Sequence, residues 1–274
     1  MGRLEALSAA NVDEALAYLA RHPYENVYVM WLIASRELGR GGAVSLWRDE
    51  RERLAGVCYF GPQIVPCADA PEALDAFAAH AQNSRSTRMI VGPRDAVERF
   101  WESARDAMPR PSAVRASQPL YALERSSLRG SRVDAPVALA TLAELDEIVV
   151  HSAAMIAGEN GGDPERTNAG FRDRTARIIS AGWWWRYRIE RRLAFMCNVG
   201  SFSPYTAQLQ GVWTPEAMRG HGHATRGLAA ICDRLLDHYP TLCLYVNDFN
   251  TPAIALYERI GFARVGEFRT ILFG

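Results

Sequence analysis

Two short stretches of this chain set reactive residue types at intervals that can do chemistry. The first is Arg219-Gly220-His221-Gly222-His223-Ala224, followed by Thr225. It stands before a run in which Leu228, Ala229, Ile231, Cys232, Leu235, Leu236 and Tyr239 recur on one helical face. The first amides of a helix lack intrahelical partners and sit at the positive end of its dipole. Glycine lets backbone come close to an anion, and an arginine adds fixed charge, so the turn can cradle a phosphate. A plain glycine turn with a surface arginine satisfies the same letters. The second stretch is Asn250-Thr251-Pro252-Ala253, then Tyr257 and Gly261. Thr251 reads as a helix cap with Pro252 at the first helical position, and Gly261 as the stop. Ala253 and Tyr257 are four apart and share a face. A tyrosine of ordinary pKa, about 10, keeps its proton at neutral pH and can donate it. A core tyrosine fits as well, and Asn250 fits either a ligand contact or a loop cap.

Other candidates are weaker. His221 and His223 lie two apart with no third ligand nearby, so no metal is expected. The cysteines, Cys58, Cys67, Cys197, Cys232 and Cys243, are odd in number and include no C-x-x-C pair. They predict free thiols in a reducing cytoplasm. Lys plus Arg is 31 and Asp plus Glu is 31, a net charge of 0. That balance argues against a nucleic-acid or membrane-surface binder. No apolar run approaches the ~18 residues of a membrane span, and the first residues do not read as a signal peptide.

The elements that must position these residues follow from periodicity and breakers. Leu209 to Trp213 reads as a strand ended by Thr214-Pro215, and Thr241 to Val246 as a second strand after Pro240. Strand, helix and strand of this length imply parallel strands with a right-handed crossover. Upstream, helices are expected from Val12, over Asn26 to Leu38, from Pro71, over Asp95 to Met108, from Thr141 and over Arg166 to Ser180. Strands are expected at AVSLWRD, LAGVCYF, RMIVG, QPLYALE, Val137 to Ala140, WWWRYRIE and RLAFMCNVG. Thr141-x-x-Glu144 matches a capping box. Gly158 to Pro164 reads as a loop. Trp183 and Trp185 share one strand face and Trp184 the other, which suits core and interface packing. Residues 126–134, SSLRGSRVD, are the best linker, and the coarse order of elements restarts after it.

The order R-x-x-G-x-A, helix, strand, N-x-x-A-x-x-x-Y-x-x-x-G-F resembles the GNAT superfamily of acyl-coenzyme-A-dependent N-acyltransferases. Arg219, Gly222 and Ala224 match its first element, and Asn250, Ala253, Tyr257, Gly261 and Phe262 its second. The match covers residues 207–262. The whole chain is similar, more loosely, to double-domain GNAT proteins, through YALERSSL, GENGGDP, AQLQGVW and GFARVGEFRTILF. The resemblance implies an α/β fold of two tandem GNAT-like domains, each a mixed central sheet flanked by helices. Residues 1–130 would be a non-catalytic GNAT-like half, without a second cofactor because it has no such turn. Residues 131–274 would be the catalytic half, its two central parallel strands splayed. Backbone of Val212, Trp213 and Thr214 would bind the pantetheine arm of acetyl-coenzyme A. The amides of Arg219, Gly220, His221, Gly222, His223, Ala224 and Thr225 would hold its pyrophosphate. Asn250 would bind the arm beside Ala253, and Tyr257 would protonate the leaving thiolate. The acceptor would be a small-molecule amine or a protein amino group.

One family feature is absent. Many members carry a glutamate on the strand before the phosphate turn, as general base. Here that neighbourhood holds Thr206, Gln208 and Gln210. Glu159 in the glycine-rich segment is the substitute candidate, and a water chain is the alternative. Two other readings stay open: a non-catalytic acyl-coenzyme-A sensor, and a dinucleotide-binding unit built on Gly220 and Gly222 with Asp248 as its ribose-binding acid.

Overall fold

The computed structural model describes residues 2–38, 42–81, 87–130, 135–160 and 170–273, with backbone alone at 159 and 160. The strands are β1 (Arg3–Ala6), β2 (Ala43–Arg48), β3 (Leu54–Phe60), β4 (Gln63–Cys67), β5 (Met89–Pro93) and β6 (Ala113–Glu124). They continue as β7 (Val137–Leu139), β8 (Trp184–Ile189), β9 (Arg192–Phe202), β10 (Ala207–Trp213), β11 (Thr241–Tyr245) and β12 (Ala263–Leu272). The helices are α1 (Val12–Leu19), α2 (Pro23–Ser35), α3 (Pro71–Ala81), α4 (Arg94–Ala104), α5 (Leu145–Asn160), α6 (Phe171–Ser180), α7 (His223–Leu235) and α8 (Thr251–Ile260).

All twelve strands form one mixed sheet in the order β1-β2-β3-β4-β5-β12-β6-β11-β10-β9-β8-β7. Two pairs, β4–β5 and β10–β11, are parallel, and the other neighbours are antiparallel. A dinucleotide-binding unit needs a mostly parallel sheet, so that reading falls. The expected mixed α/β architecture with helices on a central sheet is present in both halves.

The last strands of the two halves change places. β12 lies between β5 and β6, pairing Leu272 with Met89 and Ala263 with Ala122. β6 lies between β12 and β11, pairing Leu120 with Tyr245 and Glu124 with Thr241. Their side chains follow. Tyr121 and Leu123 of β6 enter the core that α7, α8 and β9 build. Phe268 and Ile271 of β12 enter the two cores on either face of β2–β5. The sheet therefore runs unbroken from one half to the other, across the boundary that the linker reading implies.

Local signals explain most elements. The Thr141 backbone N–H donates to Glu144 Oε2 at 2.9 Å, the capping box expected at the start of α5. Trp184 is buried against Ile148 and Ile179, while Trp183 and Trp185 turn to the opposite core. Trp183 also meets Trp31 of α2 edge to face at 6.2 Å, so this aromatic run does pack the two halves together.

Several boundaries differ from expectation. Residues 158–160 close α5 instead of opening a loop, while 161–164 lie outside the described residues. The helix expected from Arg166 is described from Phe171. Asn250, not Thr251, caps α8: its Oδ1 accepts from the Ala253 N–H at 3.3 Å. β1, β4 and β12 carried no assigned strand signal. β4 contains Pro66, which breaks a strand pattern although the backbone tolerates it here. No described helix is long and apolar enough to cross a membrane.

Gly261 ends α8 with φ 113°, and a Cβ there would lie 2.0 Å from the Ser127 carbonyl oxygen. The Arg129 N–H donates to the Ile260 carbonyl beside it at 2.7 Å. Gly261→Ala is thus expected to cost about 3 kcal/mol or more, because both the clash and the left-handed backbone oppose a side chain. A denaturant titration checks this, and an unchanged midpoint would show that the segment simply moves aside.

Candidate active-site cleft

Four of the candidate residues, Val212, Asn250, Ala253 and Tyr257, gather where β10 and β11 part, and Trp213, Thr214 and Arg219 to Thr225 are not in that lining. The two strands pair only at Ala207↔Leu242 and Gln208↔Cys243. Past that point β10 shifts register against β9 twice, around Leu209 and before Trp213. Gly211 sits inside this irregular stretch with φ 62°. That left-handed φ favours glycine where β10 bends away, and a Cβ there would also press on Asn198 Nδ2 at 2.5 Å. The result is a cleft of about 190 Å³, lined among others by Val212, Asn247, Asn250, Ala253 and Tyr257.

Of the sequence-derived candidates, Val212, Asn250, Ala253 and Tyr257 share this lining. Tyr257 is 5% exposed, one turn beyond Ala253, with its ring against Phe262 at 5.9 Å and Tyr121 at 6.3 Å. Trp213 and Thr214 lead out of the cleft toward the glycine turn. Trp213 Nε1 is buried and has no acceptor among the described residues.

The turn has the conformation that its glycines imply. Gly220 has φ 78° and Gly222 φ 75°, with no atom within 4 Å of a Cβ placed on either. Gly222 caps α7, and His223, Ala224 and Thr225 form its first turn with amides unpaired inside the helix. Space alone would admit a side chain at Gly222, and the left-handed backbone is what excludes it.

The charges near the turn are held in place. Arg219 stacks on Trp213 at 4.7 Å, and its Nε donates to the Thr214 carbonyl at 3.1 Å. Arg226 was not evident from sequence. Its Nη2 donates to the His221 carbonyl at 2.9 Å and lies 3.4 Å from His223 Nδ1. Its one-turn spacing from His223 was the available signal. His221 and His223 stack at 5.6 Å. Burial, then Arg226 and His221, hold His223 below the ordinary imidazole value of 6.5.

A buried polar chain ties β12 and β6 to the loop after β11 at the cleft. Thr270 Oγ1 of β12 donates to Gln118 Oε1 at 2.6 Å, and Gln118 Nε2 of β6 donates to Asn247 Oδ1 at 3.0 Å. Gln118 is 1% exposed and Asn247 4%. The amino-terminal half thus supplies a wall of the carboxyl-terminal cleft through β6, a contribution that sequence distance hides.

No carboxylate or histidine lines the cleft among the described residues. Gln208 Oε1 accepts from Gln210 Nε2 at 3.0 Å and from Ser201 Oγ at 3.3 Å. Thr206 Oγ1 donates to the Thr241 carbonyl at 3.3 Å. None of the three acts as a base. Glu159 falls in the last turn of α5, and its side chain lies outside the described residues.

Replacing Gly222 by valine tests the turn. A β-branched residue at φ 75° costs of order 1–3 kcal/mol, so a ligand held on these amides should bind about tenfold weaker or worse. Calorimetry with coenzyme A on the folded variant measures it. Unchanged affinity would remove the turn from the binding site.

Comparison with known proteins bears on the fold. Residues 192–270 match the model of the FR47-like protein family, and residues 44–148 match a domain of unknown function, DUF4081. No curated protein matches the chain. A GNAT-family acetyltransferase from Colwellia psychrerythraea superposes over 99% of this chain and 100% of its own, at 12% identity and TM-score 0.61. A tandem GNAT protein from the clavulanic acid biosynthesis pathway covers 100% and 99%, at 12% identity and TM-score 0.60. A Drosophila protein covers 98% of both chains, at 13% identity and TM-score 0.70. At such identities the likeness is one of fold. The chain is therefore a tandem GNAT-fold protein whose carboxyl-terminal half carries the FR47-like match and the splayed-strand cleft.

Proposed function

We propose that the protein is an acyl-coenzyme-A-dependent N-acyltransferase, moving an acetyl group from acetyl-coenzyme A to a primary amine. Residues 131–274 would hold the reaction, and residues 1–130 would be non-catalytic. The observation that carries this reading is the cleft at the parted strands, lined by Val212, Asn250, Ala253 and Tyr257, with the glycine turn between β10 and α7 in the connection that follows it.

The cleft suits an extended thioester arm. Backbone of Val212, Trp213 and Thr214 lies along the strand that bends away and would meet the pantetheine amides. The amides from Arg219 to Thr225, at the start of α7, would take the pyrophosphate, with Arg219 and Arg226 adding charge. Asn250 caps α8 while facing the cleft, so it would fix both the helix start and the arm. When bound, acetyl-coenzyme A supplies an activated acyl group whose thiolate leaves. The Tyr257 hydroxyl would give that thiolate its proton. With no carboxylate among the described lining residues, the ammonium proton would leave by water or by Glu159.

A second reading, a non-catalytic acyl-coenzyme-A sensor, draws support from that same lack of a lining base. A thiol-release assay with acetyl-coenzyme A and a panel of amines separates the two. Amine-dependent thiol release is expected. Tight coenzyme A binding with no turnover on any amine would favour the sensor, and no coenzyme A binding would end both. The five free cysteines are all buried, which favours a reducing compartment such as the cytoplasm.

A further inference from the structure

The amino-terminal half contains a second cleft of the same construction. β4 and β5 run parallel and pair only at Gln63↔Met89 and Ile64↔Ile90. Beyond those pairs they part, and a cavity of about 620 Å³ opens. It does not suit a pyrophosphate. The link from β4 to α3 is Ala68-Asp69-Ala70, without glycine, and Pro71 opens α3 with no N–H to give. Asp69 brings a negative charge to the place where the other half has glycines and Arg219.

The charges around this cavity do not balance at its base. Arg94 donates to Glu267 at 3.1 Å, and Arg99 grips Asp75 at 2.9 and 2.6 Å, so both guanidiniums are matched. Glu25 is half-buried and has no arginine partner among the described residues. Its charged neighbours are His22, whose Nδ1 lies 3.9 Å away, and Asp69. Asp69 meets Arg21 Nη2 at 3.5 Å and His22 Nε2 at 3.7 Å, so His22 is the one group of basic type that Glu25 has beside it among the described residues. Burial pushes the Glu25 carboxyl above the ordinary 4.5, against the pull of His22. The carboxyl reaches across to β12, where Gly266 leaves it room: a Cβ there would stand 3.3 Å from Glu25 Oε1. Tyr18 and Leu74 add an apolar wall.

We propose that this cleft binds a small organic ammonium ion, its charge against the Glu25 carboxylate and its carbon skeleton along Tyr18 and Leu74. A partly desolvated carboxylate without a matched cation is the group that gains most from such a ligand. This site shares no lining residue with the β10–β11 cleft and goes beyond the proposed transfer reaction.

The test uses the full chain and n-butylammonium, with neutral n-butanol as control, followed by backbone amide NMR shifts. Saturable shifts at residues 68–70 and 94–96 are expected with the ammonium and not with the alcohol. Glu25→Gln should weaken them about tenfold. The ammonium and alcohol titrations of the unchanged chain keep the test decisive if that variant does not fold. Equal binding by Glu25→Gln, equal shifts with n-butanol, or shifts confined to residues 209–212 and 244–247 would each overturn the proposal. The readout needs no acyl transfer, so it stands or falls separately from the enzymatic reading.

Discussion

Tyr257→Phe is expected to lower kcat by about 10²–10⁴ while coenzyme A binds as before. The ring is already fixed by its neighbours. It is 5% exposed and packs against Phe262 and against Tyr121, which arrives from the other half on β6. Phenylalanine keeps all of that contact and removes only the hydroxyl, so the fold should change by no more than about 1 kcal/mol. The hydroxyl matters to the chemistry because a departing thiolate needs a proton where it leaves. Tyr257 lines the cleft one helical turn from Ala253, whose small side chain leaves space on the same face. Steady-state kinetics with an accepted amine and a melting curve decide the matter. Near-normal turnover with a small shift in stability would return Tyr257 to the core and leave solvent as proton donor.

Residues 131–274 expressed alone are expected to remain unfolded or to aggregate, although they contain the glycine turn, Asn250 and Tyr257. Without β6, both β11 and β12 would expose unpaired edges. Leu120 and Leu123 of β6 are both fully buried, and each such leucine stabilises by about 1.5–3 kcal/mol. Against a usual total of about 5–15 kcal/mol, their loss with the ladder is too large to tolerate. The Gln118 bond that holds Asn247 at the cleft would vanish too. Co-expression with residues 1–130 should restore a soluble pair, because β6 and β12 are each supplied to the partner half. Circular dichroism and thermal melting measure the outcome. A cooperative melt and coenzyme A binding by residues 131–274 alone would show that the exchanged strand is dispensable.

Local chemistry made the reactive turns legible before any fold was seen. Positive φ at Gly220, Gly222 and Gly261 is demanded where a turn or helix end must bend left-handed, and glycine is the residue that does so freely. The one-face spacing of Leu228, Ile231, Cys232 and Leu235 was visible for the same reason: a helix repeats every few residues and must hide one stripe. The capping box at Thr141 and Glu144 spans three residues and needs nothing further away. Other features depended on contacts that no local pattern encodes. Asn198 on the neighbouring strand crowds Gly211, and Gly266, far along the chain, leaves room for the Glu25 carboxyl. The placement of β6 and β12 is the largest case. β6 reads as an ordinary apolar strand, β12 carries no assigned strand signal, and a strand fits any partner edge of suitable register. Burial chose between the edges: Leu123 and Tyr121 complete one core, and Phe268 and Ile271 complete the other two. The sequence by itself determined which segments form the cofactor-like turn and the tyrosine helix. The tertiary structure alone decided that both halves share one sheet, because strand partners are selected by long-range packing and not by the residues beside them in the chain.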